Sequence, residues 1–189
     1  FYGPQGLALL QAGASAEDAI KFLTAGDEGR DHRQVHVMDR EGRFGAFTGE
    51  ACIDWCGHQL RPHLSVAGNM LAGPQVFEST INTYESNAST PFARRLIAAM
   101  KAGEAVGGDK RGRQSAALLI HDEQDYPLLD LRVDDHADPL SELERLEAVA
   151  RERWIHFRRL MPSKENPSGL ADRLDLEERI AASIAEGYE

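Results

Sequence analysis

The apolar run Ala116–Ala117–Leu118–Leu119–Ile120 follows directly on a stretch made almost wholly of glycine and charge, Gly107–Gly108–Asp109–Lys110–Arg111–Gly112–Arg113–Gln114–Ser115. The run is too short for a helix of ordinary length and lacks helical spacing, so it reads as a buried strand. The stretch before it must turn tightly, because glycine supplies positive φ and close backbone approach. Arg111 and Arg113 offer planar forks that match a carboxylate or a phosphate. A polar loop anchored to a strand presents a binding site, or it is a solvated turn whose arginines make surface ion pairs; both readings stay open on composition. The loop is not a Walker A loop, because no Gly-Lys-Ser/Thr follows at the required spacing. It is not a dinucleotide fingerprint either, because it precedes a strand where the fingerprint would follow one.

On the N-terminal side the pattern alternates between helix and strand periods. Pro4 suits a helix start, with Gly13 as a stop. Ser15 and Asp18 form a capping-box pair ahead of an apolar face of Ala16, Ala19, Ile20 and Leu23, which Gly26 ends. Val35–Met38 and Phe44–Thr48 flank Asp39–Arg40–Glu41–Gly42 and predict a β-hairpin. Gly49–Arg61 has little periodicity and is expected to be a loop anchored by Cys52, Trp55 and Cys56. Leu64–Gly68 predicts another strand, which runs into Gly68–Asn69–Met70–Leu71–Ala72–Gly73. Pro74 opens a helix with Phe77, Ile81 and Tyr84 on one face. Thr90–Pro91 opens a second, lined by Phe92, Leu96 and Met100 and ended by Gly103. Gln114–Ile120 and Leu128–Val133 predict an antiparallel pair. A long helix then starts at Pro139, capped by Asp138, with a stripe of Leu143, Leu146, Ala150, Trp154, Phe157 and Met161. Pro162–Gly169 breaks it, and Leu170–Glu189 reads as a peripheral helix whose end frays.

Several side chains are candidates for chemistry. Asn69 follows Gly68, so its amide can reach a cleft without crowding, and an amide both donates and accepts; a simple turn is the other reading. Cys52 and Cys56 with His58 hint at metal, but a zinc site usually needs four ligands, and free thiols are the better reading. His36 has no partner in view. Asp134, Asp135, His136 and Asp138 resemble an oxygen-rich cation site, yet strand-end and helix-cap chemistry accounts for them. No metal and no cofactor are expected.

A chain of 189 residues fits one domain with a small appendage. Its net charge of −10 argues against nucleic acid and anionic membranes as partners. No apolar stretch approaches a membrane span, and a cytoplasmic location is expected.

Ordered local strings carry more information than any of these totals. Tyr2–Gly3–Pro4, His32–Arg33–Gln34–Val35, Thr48–Gly49, Gly68 to Gly73, Gly107 to Ala117 and Leu131–Arg132–Val133–Asp134–Asp135–His136 occur in this order. Together they resemble the family called domain of unknown function 1028, from Phe1 to about Glu147. The resemblance implies an α+β fold of the N-terminal-nucleophile (Ntn) hydrolase type: a four-layer αββα sandwich, here with its N-terminal strands absent. Residues 1–147 would form that domain and 148–189 a C-terminal helical extension. Enzymes of the superfamily hydrolyse amide bonds with a Thr, Ser or Cys whose own α-amine serves as base. Phe1 has no nucleophilic side chain, so the nucleophile is expected upstream of it, or internally at Thr48, Cys52 or Ser115.

The implied function is an amidohydrolase acting on a small amide that bears a carboxylate. Asn69 would donate to the oxyanion. Asp109 would orient the arginines or a substrate amine, and Ser115 and Gln114 would line the cleft floor. Arg111 and Arg113 would grip the carboxylate beside Gly68 and Gly108. The alternative is a non-catalytic binding or assembly module on the same fold. The long amphipathic stripe makes a homodimer the expected assembly, since such a face does not stay in water.

Overall fold

The computed structural model describes Phe1 to Gly187; the expected fraying of the C-terminus falls partly on residues outside that range. The chain is a mixed α+β protein. Its elements run α1 (Tyr2–Gln11), α2 (Ala16–Ala25), a 3₁₀ turn at Arg30–His32, β1 (Gln34–Met38), β2 (Phe44–Thr48), β3 (Gly57–Arg61) and β4 (Leu64–Gly68). They continue with α3 (Gln75–Ser86), α4 (Phe92–Ala105), β5 (Ala116–Ile120), β6 (Leu129–Val133), α5 (Pro139–Glu152), α6 (Trp154–Arg158) and α7 (Arg173–Ala185). Three antiparallel pairs, β1–β2, β3–β4 and β5–β6, make up the described sheets. Two units divide the chain: Phe1–Thr83 with Ala102–Gly112, and Tyr84–Lys101 with Arg113–Glu189.

In the first unit, Ser15 caps α2 by accepting from the Asp18 N–H, and the apolar face of α2 (Ala16, Ala19, Ile20, Leu23) is buried. This helix lies against β1 and β2. Its approach is so close that a Cβ on Gly45 would sit 2.7 Å from the Ala16 carbonyl oxygen. Asp39, at the end of β1, fastens hairpin to helix: its carboxylate accepts from the N–H groups of Ala16, Glu41 and Arg43 and from the Arg43 Nε. Burial alone would raise the Asp39 carboxyl, but those donors outweigh it and hold it below the usual range.

The register pairs Gln34 with Thr48 and His36 with Ala46 in the first hairpin, and His58 with Ala67 and Leu60 with Ser65 in the second. Alternation therefore sends Gln34, His36 and Thr48 to one face, away from α2. That face meets the second hairpin, where Thr48 Oγ1 lies 2.9 Å from His58 Nδ1 and His36 Nδ1 lies 2.8 Å from Ser65 Oγ. Behind β3, Gly57 faces Trp55 and Phe77. The Trp55 and Phe77 rings meet edge to face at 4.9 Å, so α3 adjoins the outer side of this hairpin. β3 itself corrects the sequence reading, which left Gly49–Arg61 a loop. Its run Gly57–His58–Gln59–Leu60–Arg61 carries little apolar alternation, and pairing with β4 decides its conformation.

The second unit has an apolar core of Ile97, Leu118, Ile120, Leu129, Val133, Leu140, Leu143 and Ala150. Five further expectations need correction. β5 is not a buried central strand: Leu119 is 57% exposed, so one face is covered by α5 and the other is open. A short apolar run cannot distinguish those cases. Gln114 and Ser115 lie before the strand, not in it. On α4, Leu96 packs against the core as expected, but Phe92 and Met100 are more than half exposed while Ile97 and Ala99 are buried. Gly103 stays within α4, where a Cβ would stand 2.3 Å from Thr80 Oγ1; here glycine serves close packing, not a stop. Finally, the long helix expected from Pro139 ends at Glu152, and α6 restarts at Trp154 after the non-helical Arg153, whose φ and ψ are −147° and −42°. The Asp138 cap is present and accepts from Ser141 N.

Candidate functional site

A polar seam joins the two hairpins of the first unit. Gln34 is its centre: Nε2 lies 2.8 Å from the Gly57 carbonyl, 2.9 Å from the Gly68 carbonyl and 3.0 Å from Thr48 Oγ1. Two carbonyls can only accept, which fixes this end of the amide as the nitrogen. Three acceptors share its two hydrogens. Thr48 Oγ1 also lies 2.9 Å from His58 Nδ1, and in the neutral tautomer protonated at Nε2 the hydroxyl donates to the ring. A hydroxyl aimed at an imidazole nitrogen is the arrangement of an activated nucleophile. Asn69 closes the seam by donating its amide to Gln34 Oε1 at 3.3 Å.

Past Gly68 three irregular segments run side by side. Leu71 exchanges backbone bonds with Trp55 at 3.0 and 3.3 Å, and Met70 N donates to Ile53 O. On the other side, Ala72 N donates to Gly108 O and Lys110 N to Met70 O, both at 2.9 Å, around the bridge between Leu71 and Asp109. Gly107 and Gly108 take φ of +124° and +47° to turn the chain into this ladder. The Lys110 ammonium reaches the Asp54 carbonyl. The structure thus brings Gly68, Asn69, Gly108, Asp109 and Arg111 onto one loop cluster.

Arg111 grips Asp109 as a fork, Nε to Oδ1 at 2.9 Å and Nη2 to Oδ2 at 2.5 Å, and its backbone N–H adds a bond to Oδ1 at 2.8 Å. The Arg111 donors hold the Asp109 carboxyl below its usual range, against the opposing effect of burial. The same pairing raises the Arg111 guanidinium. Arg113, Gln114 and Ser115 belong to the second unit and are exposed. There Arg113 lies 3.8 Å from the Asp138 carboxylate, and Gln114 O accepts from His136 N.

The other sequence candidates fall into structural roles. Cys52 Sγ points to the Arg33 carbonyl at 3.4 Å. Burial, with Asp54 and Cys52 nearby, pushes the Cys56 thiol up, which disfavours the reactive thiolate. Asp134 pairs with Arg132, and His136 Nδ1 accepts from Asp138 N. Among the described residues no three His, Cys, Asp or Glu side chains are grouped to hold a metal ion. Sequence reading missed Gln34 and the role of His58. Period-2 alternation could have put Gln34, His36 and Thr48 on one face, but only the stacking of a second hairpin gives that face its partners.

A family model described as a family of unknown function, DUF1028, matches residues 1–143. The crystal structure of protein SPO2555 from Silicibacter pomeroyi, which carries the same family model, is 31% identical. It matches with a TM-score of 0.78 over 91% of this chain and 77% of that one. The chain belongs to the DUF1028 family. No curated protein gives a match, and no helix among the described residues is long and apolar enough to cross a membrane.

Proposed function

We propose that this chain is an amidohydrolase on a four-layer αββα scaffold of Ntn type, acting on a small amide that bears a carboxylate. The order within the first unit supports the scaffold: α2 against one hairpin, that hairpin against the second, and Trp55 and Phe77 on the far side. The seam of His58, Thr48, Gln34 and Asn69 is the observation that carries the function. Amide hydrolysis needs a nucleophile beside a base and a donor for the oxyanion. Thr48 with His58 supplies the first pair at 2.9 Å. Cys52 is turned to a carbonyl, and Ser115 is exposed before β5. Asn69 supplies the donor, held by Gln34, with one amide hydrogen left for a substrate oxygen. In the first step Thr48 Oγ bonds to the amide carbon, its proton passes to His58, and the amine leaves with that proton as the C–N bond breaks. Water then hydrolyses the ester to the acid and restores the hydroxyl. Arg111, positioned by Asp109, is the substrate-carboxylate contact.

The satisfied state of the loop favours a second reading, a binding module without turnover: Arg111 is already bidentate on Asp109. A panel of N-acyl amino acids and small acidic amides separates the two. Turnover by the native protein, abolished in Thr48→Ala and reduced roughly 10²–10³-fold in Asn69→Ala, is the expected result. Binding without turnover would leave the module reading, and turnover intact in Thr48→Ala would move the nucleophile elsewhere.

A further inference from the structure

We infer that Cys52 and Cys56 are a redox-modification site, a pair of thiols that closes reversibly into a disulfide within the connection from β2 to β3. Both are free and half-buried. Cys56 Sγ lies 3.6 Å from the carbonyl oxygen of Cys52, and that carbonyl carbon is two bonds from the Cys52 Cβ. The backbone around and between the two residues is pinned. Cys52 N donates to Gly49 O, Met70 N donates to Ile53 O, and Trp55 and Leu71 exchange a pair of bonds. With the main chain held, side-chain rotation is the chief freedom left between the two sulfurs. A disulfide asks for Cβ atoms about 3.5–4.5 Å apart, and a sulfur already seated on the other residue's main chain is placed for it.

Neither thiol has a strong bond to lose. Cys52 Sγ donates to the Arg33 carbonyl at 3.4 Å, but that oxygen also accepts from Gly49 N at 2.9 Å and stays bonded when the thiol leaves. Cys56 Sγ reaches its acceptors, Cys52 O and Asp54 Oδ1, only at 3.6 and 3.9 Å, and a thiol is a weak donor. Burial, with Asp54 and Cys52 nearby, works against the Cys56 thiolate. Exchange with a small disulfide such as glutathione disulfide therefore starts at Cys52. Its thiolate bonds to one glutathione sulfur and expels the other glutathione as a thiolate. Cys56 then loses its proton, bonds to Cys52 Sγ and expels the second glutathione. The protein gives up two protons and two electrons, and one glutathione disulfide becomes two thiols. A reduced form that the protein stabilises is what makes a pair strongly oxidising; here the Cys56 thiolate is disfavoured, which favours the closed form. The chemistry uses neither Thr48 nor His58.

Intact mass of the full chain, equilibrated in glutathione buffers and quenched in acid, tests this. The native protein is expected to become two hydrogens lighter as the oxidised fraction of the buffer rises, with both cysteines in one linked peptide. Reduced glutathione should reverse the change. The folded chain should close at a several-fold smaller ratio of oxidised to reduced glutathione than the same chain in urea. The spacing in sequence is the same in both, so that comparison isolates what the fold contributes. Cys52→Ser and Cys56→Ser should each block closure and leave at most a glutathione adduct. A native protein that stays reduced, carries only glutathione adducts, links into dimers through its cysteines, or closes no more readily folded than in urea would overturn the inference.

Discussion

The two hairpins of the first unit and the hairpin of the second have similar strand lengths but are held by different forces. β5 and β6 rest on a continuous apolar core with Leu140, Leu143 and Ala150 from α5 and Ile97 from α4. The facing sides of β1–β2 and β3–β4 are joined by Gln34, Thr48, His58, His36 and Ser65. An apolar core gains from every buried methylene and needs little direction. A polar seam gains a modest net amount per hydrogen bond but fixes geometry, because each donor left unmade is costly. The first unit therefore has what a site for chemistry requires, and the second has what a scaffold requires.

Truncating the core should have the largest effect. Leu143→Ala is expected to cost about 2–5 kcal/mol, since the surrounding side chains relax only partly into the cavity; urea unfolding measures it. Next stands the backbone contact that closes α2 on β2. A methyl at Gly45 would press on the Ala16 carbonyl and the Glu17 nitrogen, and Gly45→Ala should cost about 1–3 kcal/mol. The seam comes third: Gln34→Ala leaves the Gly57 and Gly68 carbonyls short of a donor and should cost about 1–3 kcal/mol. Should Gln34→Ala destabilise more than Leu143→Ala, the contrast between a directing seam and a stabilising core would be wrong. Thr48→Ala should leave stability nearly intact while removing turnover, which sharpens the contrast further.

The smallest effects concern the loop charges. Arg111→Lys keeps the charge but loses the fork on Asp109. A small fall in melting temperature is expected, together with weaker binding of an acidic ligand; a fall in melting temperature with unchanged affinity would remove Arg111 from the site. The pH dependence has a definite sign. Asp39 and Asp109 both have carboxyls held below their usual range. Their contribution is complete above the ordinary carboxylate range and is lost as pH falls through the lowered folded-state values. Melting temperature should therefore fall on acidification below the usual carboxylate pKa, and Asp39→Asn should flatten that fall. An equal acid dependence in Asp39→Asn would assign it to other carboxylates.

Local chemistry made much of the chain legible as sequence. The Ser15 and Asp138 caps, the hairpin around Asp39–Gly42, the strand Leu64–Gly68 and the helix after Pro74 depend on contacts within a few residues, so periodicity and capping residues determine them. The glycines ahead of Asp109 likewise announced a tight polar loop. Tertiary structure decided what no local pattern records. It made a strand of Gly57–Arg61 because β4 supplies the pairing, and left one face of β5 open because the apolar residues of α4 and α5 cover the other. It kept Gly103 inside a helix for the sake of Thr80. It also gave Gln34 its partners, since Gly57 and Gly68 lie 23 and 34 residues away along the chain. A side chain's residue type fixes which bonds it can make, but which groups stand within 3 Å of it is a property of the folded chain.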